Sequence, residues 1–282
     1  MALPETTSTS TVDVDGVQVT LHDTVDPRDG ERPLVLVHGT GGTAASHFGQ
    51  IIPHLSRQRR VIAADWADTP GEKLELDELV RQVVATTNEA IGPDAEFDIA
   101  GFSLGAVVAV AVAAAEKGRV KNLIPVAGWA ATDNQQRLRN GVWRTLYEEN
   151  PATVRRFMGL CAFSPVYVAK TDAEEFSAGV EALTVDAFVA KQMDLNARVD
   201  IREAAETVTA TTLIIANHDD FMVPRHHSQQ LFGLIEDSRY TEVTSGHMVV
   251  LERPAEVVQL IDLFLREPQR YPAGTVVPET EG

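Results

Sequence analysis

Residues 95–110 read "AEFDIAGFSLGAVVAV". A β-branched and aromatic run ends in Gly101-Phe102-Ser103-Leu104-Gly105, and a helix of small apolar residues starts at once. A serine between two glycines, where a strand becomes a helix, needs a reason. A hydroxyl is a poor nucleophile at neutral pH until a base takes its proton. It must also project beyond the carboxyl edge of a sheet, where open α/β folds bind ligands. A sharp strand-to-helix bend does that, and it crowds the backbone two positions to either side. Gly101 and Gly105 meet that crowding, helped by Ala106. The pattern Gly-x-Ser-x-Gly is a nucleophile elbow when a strand precedes it and a helix follows. The bend leaves the Leu104 N–H unpaired at the positive end of a helix, aimed at a developing oxyanion.

The elements around this bend set the fold class. "TSTVDVDG" and "VQVTLHDTVD" alternate apolar and polar residues about Asp15-Gly16, a hairpin signal. "RPLVLVHGT", "RRVIAADW", "EFDIAGF", "VKNLIPVAG" and "TTLIIANHDD" are short continuous apolar runs, as strands covered on both faces must be. Helical stripes separate them: Leu76, Leu79, Val83 and Val84 before Gly92, then Leu104 to Lys117 before Gly118. Later come "RHHSQQLFGLI", a strand "RYTEVTSGH" and the helix "AEVVQLIDLFLRE". Strands alternating with helices predict an α/β protein, a mostly parallel central sheet with helices on both faces. The alternation breaks once. Residues 130–208 hold helical segments and no good strand, which predicts a helical lid inserted after the sixth strand. The core is expected over 1–129 and 209–270, with 271–282 ("YPAGTVVPETEG" after Arg270) as a loose tail.

Composition narrows the function classes. The 282 residues carry a net charge of −17. Such a field repels nucleic acid and anionic membrane surfaces, so neither is expected as a partner. The longest small-apolar run, "GAVVAVAVAAA", is too short to span a bilayer. "MALPETTSTST" lacks the basic and apolar regions of a signal peptide, and the single cysteine, Cys161, excludes an intrachain disulfide. A cytoplasmic protein acting on a small molecule is the expectation; the oligomeric state is not legible.

The serine's partners follow from position. "HGTGG" ends a buried strand, and the Thr40 N–H there is placed to complete an oxyanion hole with that of Leu104. His38 reads as structural, packed under this loop. His247, after Gly246 and past the last strand, is the candidate base. "LIIANHDDFMVP" offers Asp219 and Asp220 as the carboxylate that orients it, and Asp133 is a third candidate. The order Ser, Asp, His is that of α/β-hydrolase enzymes. The histidines lack a tight ligand spacing and no phosphate-binding glycine motif appears, so no metal and no cofactor is expected. The adjacent His226-His227 reads as a solvated helix start.

With "HGTGG", "GFSLG", "NHDDFMVP" and "SGHMVVLERP" in place, residues 11–268 resemble an α/β-hydrolase-fold enzyme of the lidded serine esterase or lactonase kind. The resemblance implies that the acid lies four residues before the proline of the seventh-strand turn, which is Asp220 before Pro224. It implies hydrolysis of an ester, lactone or thioester through Ser103, His247 and Asp220. Relatives with aspartate at the elbow, the haloalkane dehalogenases and related epoxide hydrolases, are set apart by Ser103. Many relatives carry Asp-x-x-Gly-x-Gly-x-Ser after the fourth strand; here only Asp65 of "ADWADTPGEKLELD" fits. Trp66, Trp129, Trp143, Phe157 and Met158 are candidate pocket walls, with a buried structural place as the alternative for Trp66. The same fold also hosts C–C bond hydrolysis, cofactor-free haloperoxidase-like chemistry, cyclases and acyl transferases. It hosts non-catalytic small-molecule sensors too, whose usual sign is a damaged serine–histidine–acid set.

Overall fold

Strands without a polar face need a helical layer on each side, and the computed structural model, which describes residues 3–24 and 31–278, has that arrangement. β1 (Thr7–Val14) and β2 (Val17–Thr24) form the hairpin. Asp15 at φ 55° and Gly16 at φ 83° make the left-handed turn its twist requires. β3 (Leu34–Val37), β4 (Val61–Asp65), β5 (Phe97–Phe102), β6 (Val120–Val126), β7 (Thr211–Asn217) and β8 (Ser238–Val243) complete a sheet ordered β1-β2-β4-β3-β5-β6-β7-β8. From β4 to β8 every neighbouring pair is parallel; β2 runs antiparallel to β1 and β4.

The period of two along each strand assigns the two cores. Val35, Val37, Ile99, Leu123 and Ile214 join one apolar cluster, while Leu34, Leu36, Ala100, Ile124 and Ile215 join the other. α3 (Leu76–Ile91), α4 (Leu104–Ala115) and α11 (His226–Leu234) cover the first face. α1 (Ala44–Phe48), α2 (Ile52–Leu55), α12 (Val249–Glu252) and α13 (Pro254–Arg266) cover the second. α4 packs against β5, β6, α3 and a further helix, α10 (Arg202–Glu206). It is therefore built of Ala and Val all round, because only short side chains let it sit so deep. Among the described residues, no helix is long and apolar enough to cross a membrane.

Between β6 and β7 run α5 (Asn134–Glu149), α6 (Pro151–Ala162), α7 (Pro165–Lys170), α8 (Ala173–Glu181) and α9 (Ala187–Arg198). Asn150 caps α6 by accepting the Thr153 N–H at 3.2 Å. The ends of the insert are stitched to each other: the Thr132 N–H donates to the Val199 carbonyl at 3.0 Å, and the Ile201 N–H to the Ala130 carbonyl at 2.7 Å. This corrects the far boundary expected at residue 208. α10 already belongs to the body, since Ile201, Ala205 and Val208 bury their side chains in the cluster of α4.

A second correction concerns the tail. Residues 271–278 are not loose. They run along the outer edge of β8, where the Tyr240 N–H donates to the Thr275 carbonyl at 3.0 Å and the Val277 N–H to the Tyr240 carbonyl at 2.7 Å. An edge strand presents unpaired N–H and C=O groups, and this segment satisfies them. The portions of the sequence readings that fall on residues 1–2, 25–26 and 279–282 lie outside the described residues.

Candidate active site

Ser103 sits between β5 and α4 with φ 58° and ψ −123°. A left-handed φ in a residue with a Cβ costs of order 1–3 kcal/mol and persists only where the surroundings enforce it. Here they do. A Cβ on Gly101 would overlap the Gly105 carbonyl, and one on Gly105 would overlap the carbonyls of Val37 and His38. The bend is therefore held by the close approach of α4 to β5 and to the end of β3.

His247 follows β8. Its Nε2 lies 2.9 Å from Ser103 Oγ and its Nδ1 2.7 Å from Asp220 Oδ2. The carboxylate can only accept, so Nδ1 carries the proton and Nε2 offers its lone pair to the hydroxyl. Asp220 is held in turn: its Oδ1 accepts the N–H groups of Met222 and Val223, each at 2.8 Å. The other two acidic candidates are elsewhere. Asp219 is exposed and pairs with His218 at 2.7 Å. Asp133 caps α5, its Oδ1 accepting the Gln136 N–H at 2.8 Å, and its Oδ2 lies 3.2 Å from His226 and 3.3 Å from His227.

That last cluster modifies the reading of His226-His227 as solvated. His226 is exposed, but His227 is buried, and burial pulls its imidazole down to about 4. Asp133, His226 and His227 bring ligand-capable atoms within 4.8 Å of one another, a proximity across 93 residues that sequence spacing does not reveal.

The glycine loop after β3 is pinned from both sides. His38 is structural: Nδ1 donates to the Gly39 carbonyl at 2.9 Å and Nε2 accepts the Trp66 N–H at 3.3 Å. The Gly39 N–H donates to His47 Nδ1 at 3.1 Å, the Gly41 N–H to Gln192 Oε1 at 2.9 Å, and the Gly42 N–H to the Gly39 carbonyl at 3.1 Å. Among the described residues this leaves the Thr40 N–H as the uncommitted amide of the loop. The Thr40 hydroxyl accepts from Asn196 Nδ2 at 2.9 Å. Asp65 holds the start of α1, accepting the Ala44 N–H at 2.6 Å, and pairs with His22 at 3.0 Å.

Glu252 ties the histidine loop to the insert. It accepts the Ser164 N–H at 2.8 Å, the Ser164 hydroxyl at 2.7 Å and the Gly246 N–H at 3.2 Å.

A cavity of about 310 Å³ opens above Ser103 and His247 and is roofed by the insert. Trp129, Trp143, Phe157 and Met158 line it, with Thr40 at its edge. Trp66 is not among these lining residues and takes the buried structural place that was its alternative. Its ring packs 4.2 Å from that of His38, within the core beneath the loop. His47, Gln192, Asn196, Arg139 and Glu252 are site residues that the sequence reading missed. The Gln192/Asn196 pair carried a usable signal, since two polar residues at i, i+4 interrupt an apolar helix face.

The buried imidazoles have a consequence for stability. Burial, with His38 and His247 close by, pulls His47 down to about 3; burial also lowers His38. An unfolded histidine titrates near 6.5. Between the two values the unfolded chain binds more protons, so stability falls as pH falls. Each histidine held neutral contributes a slope approaching ~1.4 kcal/mol per pH unit below about pH 6.5. Calorimetric unfolding from pH 7.5 down to 4.5 is expected to show a steadily falling transition temperature below pH 6.5. A flat profile there would mean these rings are hydrated.

A strained serine on a strand-to-helix bend, an imidazole and an acid in hydrogen-bonded sequence, and a doubly covered parallel sheet define the hydrolase class of α/β protein. Residues 34–260 match the model of the alpha/beta hydrolase family, and the chain belongs to that family. Among curated proteins it is 31% identical over 248 residues to a pyrrolizixenacetamide deacetylase of Xenorhabdus hominickii, covering 84% of this chain and 92% of that one. It is 27% identical over 265 residues to a 2-hydroxy-6-oxo-2,4-heptadienoate hydrolase of Pseudomonas putida, covering 89% and 93%. Among solved structures, the enol-lactonase of Burkholderia xenovorans LB400 superposes with a TM-score of 0.78 at 19% identity, covering 92% of this chain and all of that one, a likeness of fold.

Proposed function

We propose that this hydrolase cleaves a carboxylic acyl bond of a small to medium, largely apolar substrate through an acyl-enzyme on Ser103. The observation that carries the reading is the unbroken hydrogen-bonded sequence from Asp220 through His247 to Ser103 at the cavity floor. Ser103 Oγ bonds to the carbonyl carbon as its proton passes to His247 Nε2. The N–H groups of Thr40 and Leu104 receive the oxyanion. His247 returns the proton to the leaving group as the acyl bond breaks. A water then gives its proton to Nε2 and its hydroxyl to the acyl carbon, and Ser103 recovers its hydrogen as the acid departs. Asp220 keeps the tautomer and supports the imidazolium. An ester, lactone or thioester is the expected bond. The relative named a deacetylase adds an acyl–nitrogen bond to that set.

The cavity lies at the small end of the range for ligand sites, and its walls are largely apolar, with aromatic, methionine and aliphatic side chains. Among p-nitrophenyl esters, kcat/KM is expected to rise from acetate to a medium acyl chain and to fall at least tenfold by about twelve carbons, as the roof limits length. A flat series would sink the pocket assignment. The C–C hydrolase reading has support in the Pseudomonas putida relative's name. A vinylogous 1,5-diketone run beside the esters separates the two: turnover of the diketone alone favours C–C cleavage.

A further inference from the structure

The roof of the cavity contains a cation without an ion-pair partner among the described residues. Arg139, on α5, is 8% exposed and lines the cavity. One terminal nitrogen donates to the Met222 carbonyl at 2.9 Å and the other to Asn140 Oδ1 at 2.9 Å. Both acceptors are neutral. A guanidinium has five N–H donors. Among the described residues the buried Nε has no partner, and no carboxylate lies within ion-pair distance of this side chain. An unpaired buried cation is costly, because desolvation takes several kcal/mol that only a close anion offsets. Arginine cannot escape by losing its proton.

A second observation points to the same place. Trp143, one helical turn along α5, also lines the cavity, and its indole Nε1–H is buried without a partner among the described residues. Positions four apart on a helix share a face. Among the described residues, two donors without a partner therefore share one helical face beside a cavity that is largely apolar, with Glu175, Asn196, Thr171 and Thr184 among its other polar lining. Neither is used by the reaction sequence above, and neither is needed to bury the wall, since leucine or methionine would do that at lower cost.

We propose that Arg139 and Trp143 form an oxyanion-accepting subsite, so that the preferred substrate carries a carboxylate separated from its scissile carbonyl by a short apolar spacer. The guanidinium presents a planar pair of donors that matches a carboxylate, and a bound anion supplies the close counter-charge, since Asp220 acts on Arg139 only from beyond ion-pair distance. This assignment rests on the acyl-hydrolase reading and names its substrate class. The protein's net charge of −17 disfavours anions at long range. The selectivity therefore comes from the buried contact and appears mainly in KM.

The test compares the mono-p-nitrophenyl ester of adipic acid with p-nitrophenyl hexanoate, which has the same chain length without the charge. The wild-type ratio of kcat/KM, anionic over neutral, is expected to exceed ten. In Arg139→Met that ratio is expected to fall at least tenfold, and Arg139→Lys to recover part of it. If Arg139 merely props the loop that holds Asp220, both esters lose rate together and the ratio stays put, which overturns the subsite. Should the variants fail to fold, the wild type still decides. Adipate monoamide is expected to protect Ser103 from a fluorophosphonate far better than neutral adipamide does. Equal protection overturns the proposal. Failure of the probe to label Ser103 at all would instead overturn the acyl-enzyme reading on which it rests.

Discussion

Replacing Ser103 by alanine is expected to cut kcat/KM on the best ester by a factor on the order of 10⁴ to 10⁶, as loss of the nucleophile does where three groups act as a unit. The reason is local. His247 Nε2 has one hydrogen-bonded partner at the cavity floor, the Ser103 hydroxyl, and without it the base faces only water. The residual rate comes from binding and from backbone N–H groups facing the carbonyl. Stability is expected to change little. Alanine meets the same strain at φ 58°, and among the described residues the hydroxyl makes no bond beyond the one to His247. A thermal scan beside the rate measurement therefore separates chemistry from collapse. A variant that keeps a tenth or more of the activity would remove Ser103 from the mechanism. A variant that loses activity only because it unfolds would show it in the scan.

Sequence carried most of the frame because the frame is periodic. Strands such as "LVLV" and "FDIAGF" are apolar at every position only if both faces are covered, and that one inference yields the sheet and its two helical layers. The elbow was legible because its glycines are forced by backbone overlap, a requirement that a five-residue motif records. Asp220 against Asp219 was not settled by the residues themselves. Both sit in one turn, and what separates them is which carboxylate turns inward to meet the Met222 and Val223 amides. Side chains that act across the chain were invisible for the same reason. Gln192 and Asn196 reach the glycine loop from 151 and 156 residues away, and the insert's true end is set by a pairing between Ala130 and Ile201. Trp66 stayed open between two places because an aromatic residue beside a substrate loop reads alike whether its ring faces the pocket or the core. Arg139 left no mark because an arginine on an amphipathic helix ordinarily points to water, and only the packed insert shows that this one cannot.

Gly105→Ala is expected to cost more stability than any ordinary single substitution, above about 4 kcal/mol, or to prevent recovery of folded protein. The added methyl would meet two carbonyl oxygens, those of Val37 and His38, at the end of β3. Backbone carbonyls in a parallel ladder cannot rotate aside as a side chain does. α4 would have to lift from the sheet, and its Ala and Val residues would lose the close contact that only short side chains permit. The same displacement would move Ser103, and a shift near 1 Å at the reacting atom costs about 10²-fold in rate. Any folded fraction is therefore also expected to be slow. Gly141→Ala supplies the contrast. That glycine lies inside α5 with open space where a Cβ would go, so alanine there is expected to stabilise by roughly 0.5–1 kcal/mol through helix propensity alone. Denaturant midpoints of the two variants should thus move in opposite directions from wild type. If Gly105→Ala unfolded at the wild-type midpoint, the close approach of α4 to β3 would be wrong. The reason given for a glycine at that end of the motif would fall with it.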